Sequence, residues 1–439
     1  MRGPRRRVGR GPRCLVVALD GVSLGDIGAV ASSGAAPTLR HLIGSADVLS
    51  LQPSLPSSAA ATWSTFMTAS NPGRHSRFGL LAPGPDYLPR FADANALRMP
   101  TLWDRIAVDG DRSVVINLPA TYPARRISGV LVAGVVAPDL SRACHPPRLA
   151  DRLARVHYAT DIDVPSGSDE AAFLDRLRQA LAVRIRVMEE LLAEETWSLA
   201  VLGFAEGDRL NHLFFDRVHD RDDPAGAAFS ESLGAVDALL ARLLDRYPAA
   251  LTMVVANHGA GPLRRLCNVD RWLEDNGFLQ RTELGTVSPD SAAFSLEGDR
   301  IYLNATRIFP QGKLRDGSVA PTVGEIATGL TQLVDPETGK RPLSAVVRRA
   351  ALYRGPYYRT SPHLLLSAAT GYELKSSARL PLFGDAVGLR GTHVAEGGFA
   401  LIGSDRSAAA GSVGLEDLGA TVLGWLGALA PDIDGRPLA

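Results

Sequence analysis

The 439-residue sequence lacks several features that would assign it to a specialised class of protein. It has only three cysteines, Cys14, Cys144 and Cys267, and their wide spacing fits neither a zinc motif nor a disulfide framework. No run reaches the roughly 18 apolar residues that a membrane span needs. The apolar run at residues 14–19 is too short for a secretory signal. The sequence therefore predicts a protein of the reducing cytoplasm that does not enter a membrane.

Charge of either sign is not in excess, since 47 Lys and Arg residues balance 47 Asp and Glu residues. This balance argues against nucleic acid or a membrane surface as a partner. Lysine is scarce, and with the abundant Ala, Gly and Pro this indicates genomic base composition rather than function. Hydrophobic residues at 46% and charged residues at 21% fit a globular chain. The length exceeds one ordinary core, so we expect two layers or a large insertion.

Four short apolar runs end in, or soon lead to, a polar or charged residue. They occupy residues 14–19, 113–116, 199–204 and 251–255. Unbroken apolar runs are typical of strands that are buried on both faces of a parallel sheet. Amphipathic helical patterns at 171–195 and 227–246 lie between such runs. The sequence therefore predicts a doubly wound, mostly parallel α/β sheet flanked by helices, which binds ligands at the carboxyl ends of its strands.

The sequence pattern changes at residues 268–384, where Pro and Gly alternate with short apolar segments that resemble hairpin strands. We interpret this region as a cap or substrate subdomain inserted into the α/β core. The core would then comprise residues 14–267 and 385–439, with a last amphipathic helix at 413–429. Residues 1–13 are rich in Arg, Gly and Pro and are predicted to be a flexible tail.

Side chains that can bind metal ions follow several of these strands. They are Asp20, Asp208, His212, Asn257, His258 and, in a Gly-flanked loop, His393. Taken singly, Asp20 could be a helix N-cap, and Asp208 and His212 could be a solvated helix face. Taken together, carboxylate, amide and imidazole groups at one edge of a sheet indicate a two-metal site.

Several motifs occur along the chain in a fixed order. They include LVVALDG (15–21), TWSTFMTASNPGRH (62–75), GDRLNHLFF (207–215), VVANHGAGPL (254–263) and RGTHVAEGGFAL (390–401). Through these motifs the sequence, from about residue 14 to 436, resembles the alkaline phosphatase superfamily. Within it, the chain is most similar to the type I phosphodiesterase/nucleotide pyrophosphatase-like branch of phosphohydrolases and phosphomutases. The resemblance implies an alkaline phosphatase-like fold and the hydrolysis of phosphate esters.

The resemblance also implies two divalent metal ions, zinc in most members and manganese or another divalent ion in some. The matching ligands are Asp208, His212 and His393 for one ion, and Asp20, Asn257 and His258 for the other. In such a site the ions hold a phosphate ester while a Thr or Ser hydroxyl attacks phosphorus. The expected substrate is a phosphomonoester or phosphodiester of a small metabolite. The sequence is also compatible with a homo-oligomer.

Two positions depart from the family pattern at the site itself. Asn257 stands where the family has Asp, and its amide oxygen brings no charge. We therefore expect the second ion to bind more weakly, by about one to a few kcal/mol. Ala59 stands at the position of the nucleophile. Ser58, one residue earlier, is the predicted nucleophile, and Ser57, Thr62 and a water molecule are the alternatives.

A third departure lies after the Asn-Pro-Gly motif, where the family's His-Gly-Ile reads His75-Ser76-Arg77. We interpret His75 as a structural hydrogen-bonding residue rather than a ligand. Asn117 and Tyr122 are expected to serve packing or turns, although Asn117 ends a strand and could face the ligand.

Two other functions remain open from the sequence. Ala59 and Asn257 would also suit a degenerate family member that binds a ligand or partner. They would equally suit a one-metal enzyme with transferase or lyase-like chemistry. Arginines in and just before the inserted region could bind an anionic group, although arginines exposed to solvent are the default interpretation; they are Arg264, Arg265, Arg307 and Arg354.

Overall fold

The computed structural model describes residues 11–162, 169–248, 250–403 and 412–438. The strands are β1 Cys14–Leu19, β2 Asp47–Ser50, β3 Leu81–Pro83, β4 Pro89–Phe91, β5 Ser113–Leu118, β6 Gly129–Ala133, β7 Cys144–His145, β8 Leu199–Phe204, β9 Leu251–Ala256, β10 Gly259–Asn268, β11 Ala293–Leu296, β12 Arg300–Leu303, β13 Leu343–Arg348, β14 Leu364–Ala368, β15 Gly371–Lys375, β16 Phe383–Asp385, β17 Gly391–Val394 and β18 Phe399–Gly403.

The α-helices are α1 Leu24–Ser32, α2 Pro37–Ser45, α3 Ala59–Thr68, α4 Pro72–His75, α5 Leu102–Ala107, α6 Leu149–Arg155, α7 Glu170–Glu194, α8 Glu206–Phe214, α9 Pro224–Arg246, α10 Val269–Asp275, α11 Asp316–Gln332, α12 Arg349–Leu352 and α13 Leu415–Leu426. Within the described ranges, no helix is both long and apolar enough to cross a membrane.

An eight-stranded sheet forms the centre of the fold, in the order β2-β18-β9-β1-β8-β5-β6-β7. Its five central strands, from β9 to β6, run parallel. β18 and β7 run antiparallel to the strands beside them. Every residue of β1 is at most 1% exposed. This mostly parallel sheet with antiparallel edges confirms the predicted α/β fold class.

Alternate residues of β1 face two separate hydrophobic cores. The odd-numbered residues from Leu15 to Leu19 join the core that includes α1, α2, α7 and α9. The even-numbered residues from Cys14 to Ala18 join the core that includes α3, α5 and α13. Burial of one large aliphatic side chain stabilises a fold by about 1.5–3 kcal/mol, so both faces of the strand are selected to be apolar.

The helices that the sequence predicts are present with small shifts of their ends. The pattern at 171–195 is α7, and the pattern at 227–246 is α9, which begins earlier because Pro224 follows the N-cap Asp223. The pattern at 413–429 is α13, which ends at Leu426 because Gly427 adopts the left-handed conformation with φ of 73°.

The inserted region contains its own four-stranded sheet, in the order β11-β12-β14-β13. A third hydrophobic core, which includes Trp272, Phe294 and Tyr302, lies between this sheet and α10 and α11. β10 connects the two parts of the molecule, because it pairs with β15 and β16 and, at its start, with β17. The division of the chain into a core and an inserted subdomain remains a prediction.

Arg13, the last residue of the predicted tail, packs against the folded protein. The Arg13 guanidinium lies over the rings of Trp197 and Tyr247, 5.1 and 5.0 Å from their centroids. Residues 1–10 of the predicted tail lie outside the described residues. Cys14, Cys144 and Cys267 are buried free thiols.

Candidate metal centre

The six predicted ligands come from four separate segments of the chain. Asp20 follows β1 directly, and Asn257 follows β9 directly. Asp208 lies in the first turn of α8, which begins two residues after β8. His393 lies on β17, where it is paired with Ala260 of β10. Since β9, β1 and β8 are adjacent parallel strands, their carboxyl ends place these side chains at one edge of the sheet.

Asp208, His212 and His393 contact one another at a single point. His393 Nε2 lies 2.9 Å from Asp208 Oδ1 and 2.9 Å from His212 Nε2. His212 Nε2 lies 3.3 Å from the same carboxylate oxygen. The His212 Nδ1–H donates to the Gly391 carbonyl at 2.9 Å, which leaves Nε2 as the ligand atom. The three side chains therefore direct three potential metal ligands at one position.

The carboxylate and histidines of this group strongly affect one another's protonation. Burial raises the pKa of Asp208, but the charges and hydrogen bonds of His212 and His393 outweigh it and hold this pKa well below its usual value. Burial lowers the pKa of His212, but Asp208 outweighs it and raises the pKa to about 9. Burial and the nearby His258 lower the pKa of His393. The raised pKa of His212 indicates that the ionised Asp208 carboxylate favours a positive charge at this position, which a proton carries in the metal-free protein.

Asp20, Asn257 and His258 form a second, more deeply buried group. They are 5%, 3% and 1% exposed. Asp20 Oδ1, Asn257 Oδ1 and His258 Nε2 are buried and have no hydrogen-bond partner. Asp20 Oδ1 and His258 Nε2 lie 3.4 Å apart without the alignment of a hydrogen bond. Because buried polar atoms are normally paired, three unpaired ligand atoms fit a cation that would bind between them.

The orientation of the Asn257 amide is set by a neighbouring threonine. Asn257 Nδ2 donates to Thr62 Oγ1 at 3.0 Å, which leaves Asn257 Oδ1 as the free atom. Thr62 Oγ1 in turn lies 3.1 Å from the carbonyl of Ser58. Asn257 therefore presents the oxygen that an aspartate would present, without its charge.

The two groups of ligands adjoin each other. The rings of His258 and His393 have centroids 4.0 Å apart. One ligand atom from each of Asp208, His258 and His393 lies within 4.8 Å of the others. Two-metal sites of phosphoryl-transfer enzymes hold their ions about 3.5–4 Å apart, and adjoining groups of ligands fit such a spacing.

Ser58 lies at the N-terminus of α3, where it is the N-cap residue. Its side chain makes no capping hydrogen bond, and its Oγ is buried without a partner. Ala59 lies beside it in the cavity described next but has no hydroxyl group. Thr62 is engaged with Asn257. Ser58 and Thr62 are the two candidate nucleophiles on α3 and its N-cap. Of these two hydroxyl groups, the Ser58 hydroxyl is the one without a hydrogen-bond partner.

Two cavities meet at the candidate metal centre. The first has a volume of about 260 Å³, and the second, toward the inserted region, about 240 Å³. Both are lined by Ser58, His212, Glu297 and His393, and Ser57 lines only the second. The first cavity has an apolar wall that includes Phe91 and Val136. A phosphate group beside Ser58 would therefore have room for a substituent on either side.

Two arginines of the first cavity were missed by sequence reasoning, namely Arg77 and Arg209. Arg209 donates to both carboxylate oxygens of Asp161, at 3.1 and 2.6 Å, and its Nη1 lies 3.7 Å from Asp208 Oδ2. The position of Arg209 next to the candidate ligand Asp208 in the sequence could have indicated that it lies at the site. The four arginines that the sequence offered as possible anion ligands, with exposure to solvent as the default, line neither cavity. Arg265, for example, is paired with Asp335.

Two of the other polar residues considered from the sequence, His75 and Asn117, accept or share hydrogen bonds within the protein. His75 is buried, its Nε2 lies 3.1 Å from Thr65 Oγ1, and its Nδ1 accepts from the Arg77 backbone N–H at 3.2 Å. Asn117 Oδ1 accepts a hydrogen bond from the Tyr158 hydroxyl at 3.1 Å. Tyr122 lines the first cavity. His75 thus makes the structural hydrogen bonds expected of it.

The family model for type I phosphodiesterase / nucleotide pyrophosphatase matches residues 14–397, which include all six candidate ligands. The chain belongs to this family. Membership identifies it as a hydrolase of phosphoric esters and confirms the superfamily that the motifs predicted. No curated protein sequence matches the chain significantly.

Solved structures with the same fold include three hydrolases. Phosphonoacetate hydrolase from Sinorhizobium meliloti 1021, in complex with phosphonoformate, is 18% identical, with a TM-score of 0.64 over 97% of this chain and 98% of that one. Murine ectonucleotide pyrophosphatase / phosphodiesterase 5 is 13% identical, with a TM-score of 0.58 over 97% of each chain. Alkaline phosphatase PafA is 11% identical, with a TM-score of 0.62 over 99% of each chain. At these identities the likeness shows the fold.

Proposed function

We propose that the chain hydrolyses a phosphomonoester or phosphodiester of a small metabolite through a phosphoserine at Ser58, with two divalent metal ions as cofactors. The observation that carries this proposal is the set of three buried, unpaired ligand atoms of Asp20, Asn257 and His258. A free serine hydroxyl lines the same cavity as Asp20 and the first ligand group. This combination provides both a nucleophile and a site for the cations that would activate it.

The residues fit zinc, and manganese or another divalent ion is the alternative, because the ligand atoms are imidazole nitrogens and carboxylate or amide oxygens. One ion would be held by Asp208, His212 and His393, and the other by Asp20, Asn257 and His258. When bound, such ions lower the pKa of a serine hydroxyl and neutralise charge on the phosphoryl group. The second ion is expected to be held more weakly, because Asn257 brings no negative charge.

Ser58 carries the covalent chemistry in this proposal. Its hydroxyl loses a proton, Oγ forms a bond to phosphorus, and the P–O bond to the alcohol breaks. The departing oxygen takes up a proton. Water then hydrolyses the phosphoserine and releases inorganic phosphate from a monoester or a phosphomonoester from a diester. The first backbone N–H groups of α3 favour an anion at this position, because they have no partner within the helix.

The substitution Ser58→Ala tests the proposal directly. With p-nitrophenyl phosphate and bis-p-nitrophenyl phosphate as substrates, we expect turnover to fall by roughly a thousandfold or more, as for loss of other enzyme nucleophiles. Intact-protein mass spectrometry after an acid quench should show a phosphorylated wild-type protein and an unmodified variant. Ser57→Ala is the control, and it should retain both turnover and the phosphorylated species. Full turnover by Ser58→Ala would refute its role as the nucleophile and leave Ser57 or water.

Ala59 and Asn257 favour a second candidate, a family member that binds a ligand or partner, or a one-metal enzyme with transferase or lyase-like chemistry. Metal analysis separates the candidates. Two ions per chain with turnover of either aryl phosphate support hydrolysis, whereas one ion without turnover supports the second candidate. A cytoplasmic location, in keeping with the three free thiols, and the absence of nucleic-acid and membrane partners remain predictions.

A further inference from the structure

Arg77 is a buried cation with no ion-pair partner among the residues that the structure describes. Its side chain is 1% exposed. Nη1 donates to the carbonyl of Ala120 at 2.6 Å, and Nη2 donates to the carbonyl of Ala92 at 2.5 Å. The Nε–H has no acceptor. Carbonyl groups orient a guanidinium but do not neutralise it, and a buried charge without a counter-ion is costly.

Arg77 remains charged at neutral pH in this environment. Burial lowers its pKa to about 10, and Asp93 acts in the opposite direction from beyond ion-pair distance. An arginine is therefore retained in the protein interior at a net cost, which a bound anion would offset. The two carbonyl bonds hold the guanidinium in place before any ligand arrives.

The first cavity places this cation beside the candidate metal centre, since Arg77 and Ser58 line the same cavity. The other charged groups of its wall have partners or predicted roles. Arg209 is paired with Asp161, and Glu297 contacts Arg300. The two aspartates of the wall are predicted metal ligands. Among the charged residues that line the first cavity, Arg77 is therefore the one that has neither an ion-pair partner nor a predicted role.

We propose that Arg77 is a specificity-determining residue that binds an anionic oxygen of the substrate. The oxygen belongs either to the reacting phosphoryl group or to a second anionic group, such as a carboxylate, on the organic part of the ester. This inference rests on the proposed function, because it assumes that the phosphate ester occupies the first cavity.

Two ligands that differ by one carboxylate test the proposal without turnover. Methyl phosphate and phosphoglycolate, which is methyl phosphate with an added carboxylate, are titrated by calorimetry into metal-loaded protein that carries Ser58→Ala, so that the ligands bind without being hydrolysed through Ser58. The variant Arg77→Met keeps the length of the side chain and removes its charge. We expect binding to weaken roughly 10- to 100-fold, the range for loss of a charge-assisted hydrogen bond. Equal weakening for both ligands assigns the oxygen to the phosphoryl group. Greater weakening for phosphoglycolate assigns it to the carboxylate.

Unchanged affinity for both ligands in a folded Arg77→Met protein would overturn the proposal. If this variant does not fold, Arg77→Lys provides the test, because a lysine keeps the charge but cannot reproduce three donors in a planar fork. It should weaken binding, and unchanged binding would again overturn the proposal. The matched control is Arg184→Lys, at a 3% exposed arginine that pairs with Glu206 and does not line the cavity. Release of inorganic phosphate from either ligand in the Ser58→Ala protein would show that hydrolysis does not need Ser58, so failure of the proposed function is detected separately from a change in binding.

Discussion

Two buried histidines near α3 differ in one respect, the completeness of their hydrogen bonding. His75 is 0% exposed, and both of its ring nitrogens have partners, at Thr65 and at the Arg77 backbone. His258 is 1% exposed, and its Nδ1 lies 3.0 Å from the Gly259 carbonyl while Nε2 has no partner. Burial alone therefore does not separate a structural histidine from a candidate ligand. The unpaired nitrogen does.

The electrostatic surroundings of these two histidines differ in the same direction. Burial and the charge of Arg77 lower the pKa of His75 to about 3, so a cation is disfavoured there. Burial also opposes a charge on His258, but Asp20 outweighs it and raises its pKa. A further positive charge is thus disfavoured at His75 because of Arg77, whereas Asp20 favours a positive charge at His258. Three predictions probe this contrast at the candidate ligands and at His75, in order of decreasing expected effect.

The largest effect is expected from removal of a ligand in the first group. Asp208→Ala or His393→Ala should abolish hydrolysis and lower affinity for one ion by more than the 10- to 100-fold that loss of an outer-shell partner typically costs. Metal analysis and turnover of bis-p-nitrophenyl phosphate measure the two effects. Circular dichroism should show a folded protein. Full activity with two bound ions in either variant would refute the ligand assignment.

A smaller effect on metal affinity, and one of opposite sign, is expected for Asn257→Asp. The added charge should tighten binding of the second ion by about 1–3 kcal/mol, or roughly 5- to 150-fold, because ion affinity rises with ligand charge. Without metal, the same change places a second carboxylate near Asp20 and should lower the melting temperature. Metal titration and thermal unfolding measure these outcomes.

The control for this variant is Asn117→Asp, because Asn117 is also a buried asparagine at a strand end, and its Oδ1 is already paired with Tyr158. This change should leave metal affinity as it is in the wild type. If Asn257→Asp likewise leaves the titration unchanged, Asn257 is not a ligand.

The smallest effect concerns stability and pH at His75. Because its pKa is about 3 in the folded state and about 6.5 in the unfolded chain, the unfolded chain binds a proton first as the pH falls. His75 therefore favours folding fully above about pH 6.5 and progressively less down to about pH 3. Replacement by glutamine should reduce the loss of unfolding free energy between pH 7 and 5 by about 1–2 kcal/mol.

Urea unfolding at the two pH values measures this change, and His41→Gln at an exposed position of α2 controls for removal of a histidine. An unchanged pH dependence in His75→Gln would show that His75 can accept a proton in the folded protein.

The sequence predicted the fold well where local pattern and burial coincide. β1 and β8 have the predicted ends, because strands buried on both faces carry unbroken apolar runs. Helix ends were less accurate, because Pro224 and Gly427 set them by backbone conformation rather than by hydrophobic pattern. The pairing of β17 with β10, which brings His393 to the site, is a long-range contact that no local pattern encodes.

The candidate site was predicted in its residues but not in its bonding. The family motifs suggested the six ligands and Ser58, whose assignment remains a prediction. The bond from Asn257 to Thr62 could not be foreseen, since it joins two residues almost two hundred positions apart. Arg77 appeared in the sequence analysis as part of a departure from the family pattern, but it was not considered as a residue of the site. Only the packed carbonyls of Ala92 and Ala120 show that it is buried.

His393 is separated from Asp208 by 185 positions and comes from a strand close to the end of the chain. During synthesis, the sheet strands β1, β8 and β9 leave the ribosome long before β17 does. A nascent chain therefore lacks one of the candidate ligands until residue 393 emerges, and any product that stops before β17 lacks it permanently. Under the proposed ligand assignment, full metal loading would require translation to reach nearly the last strand.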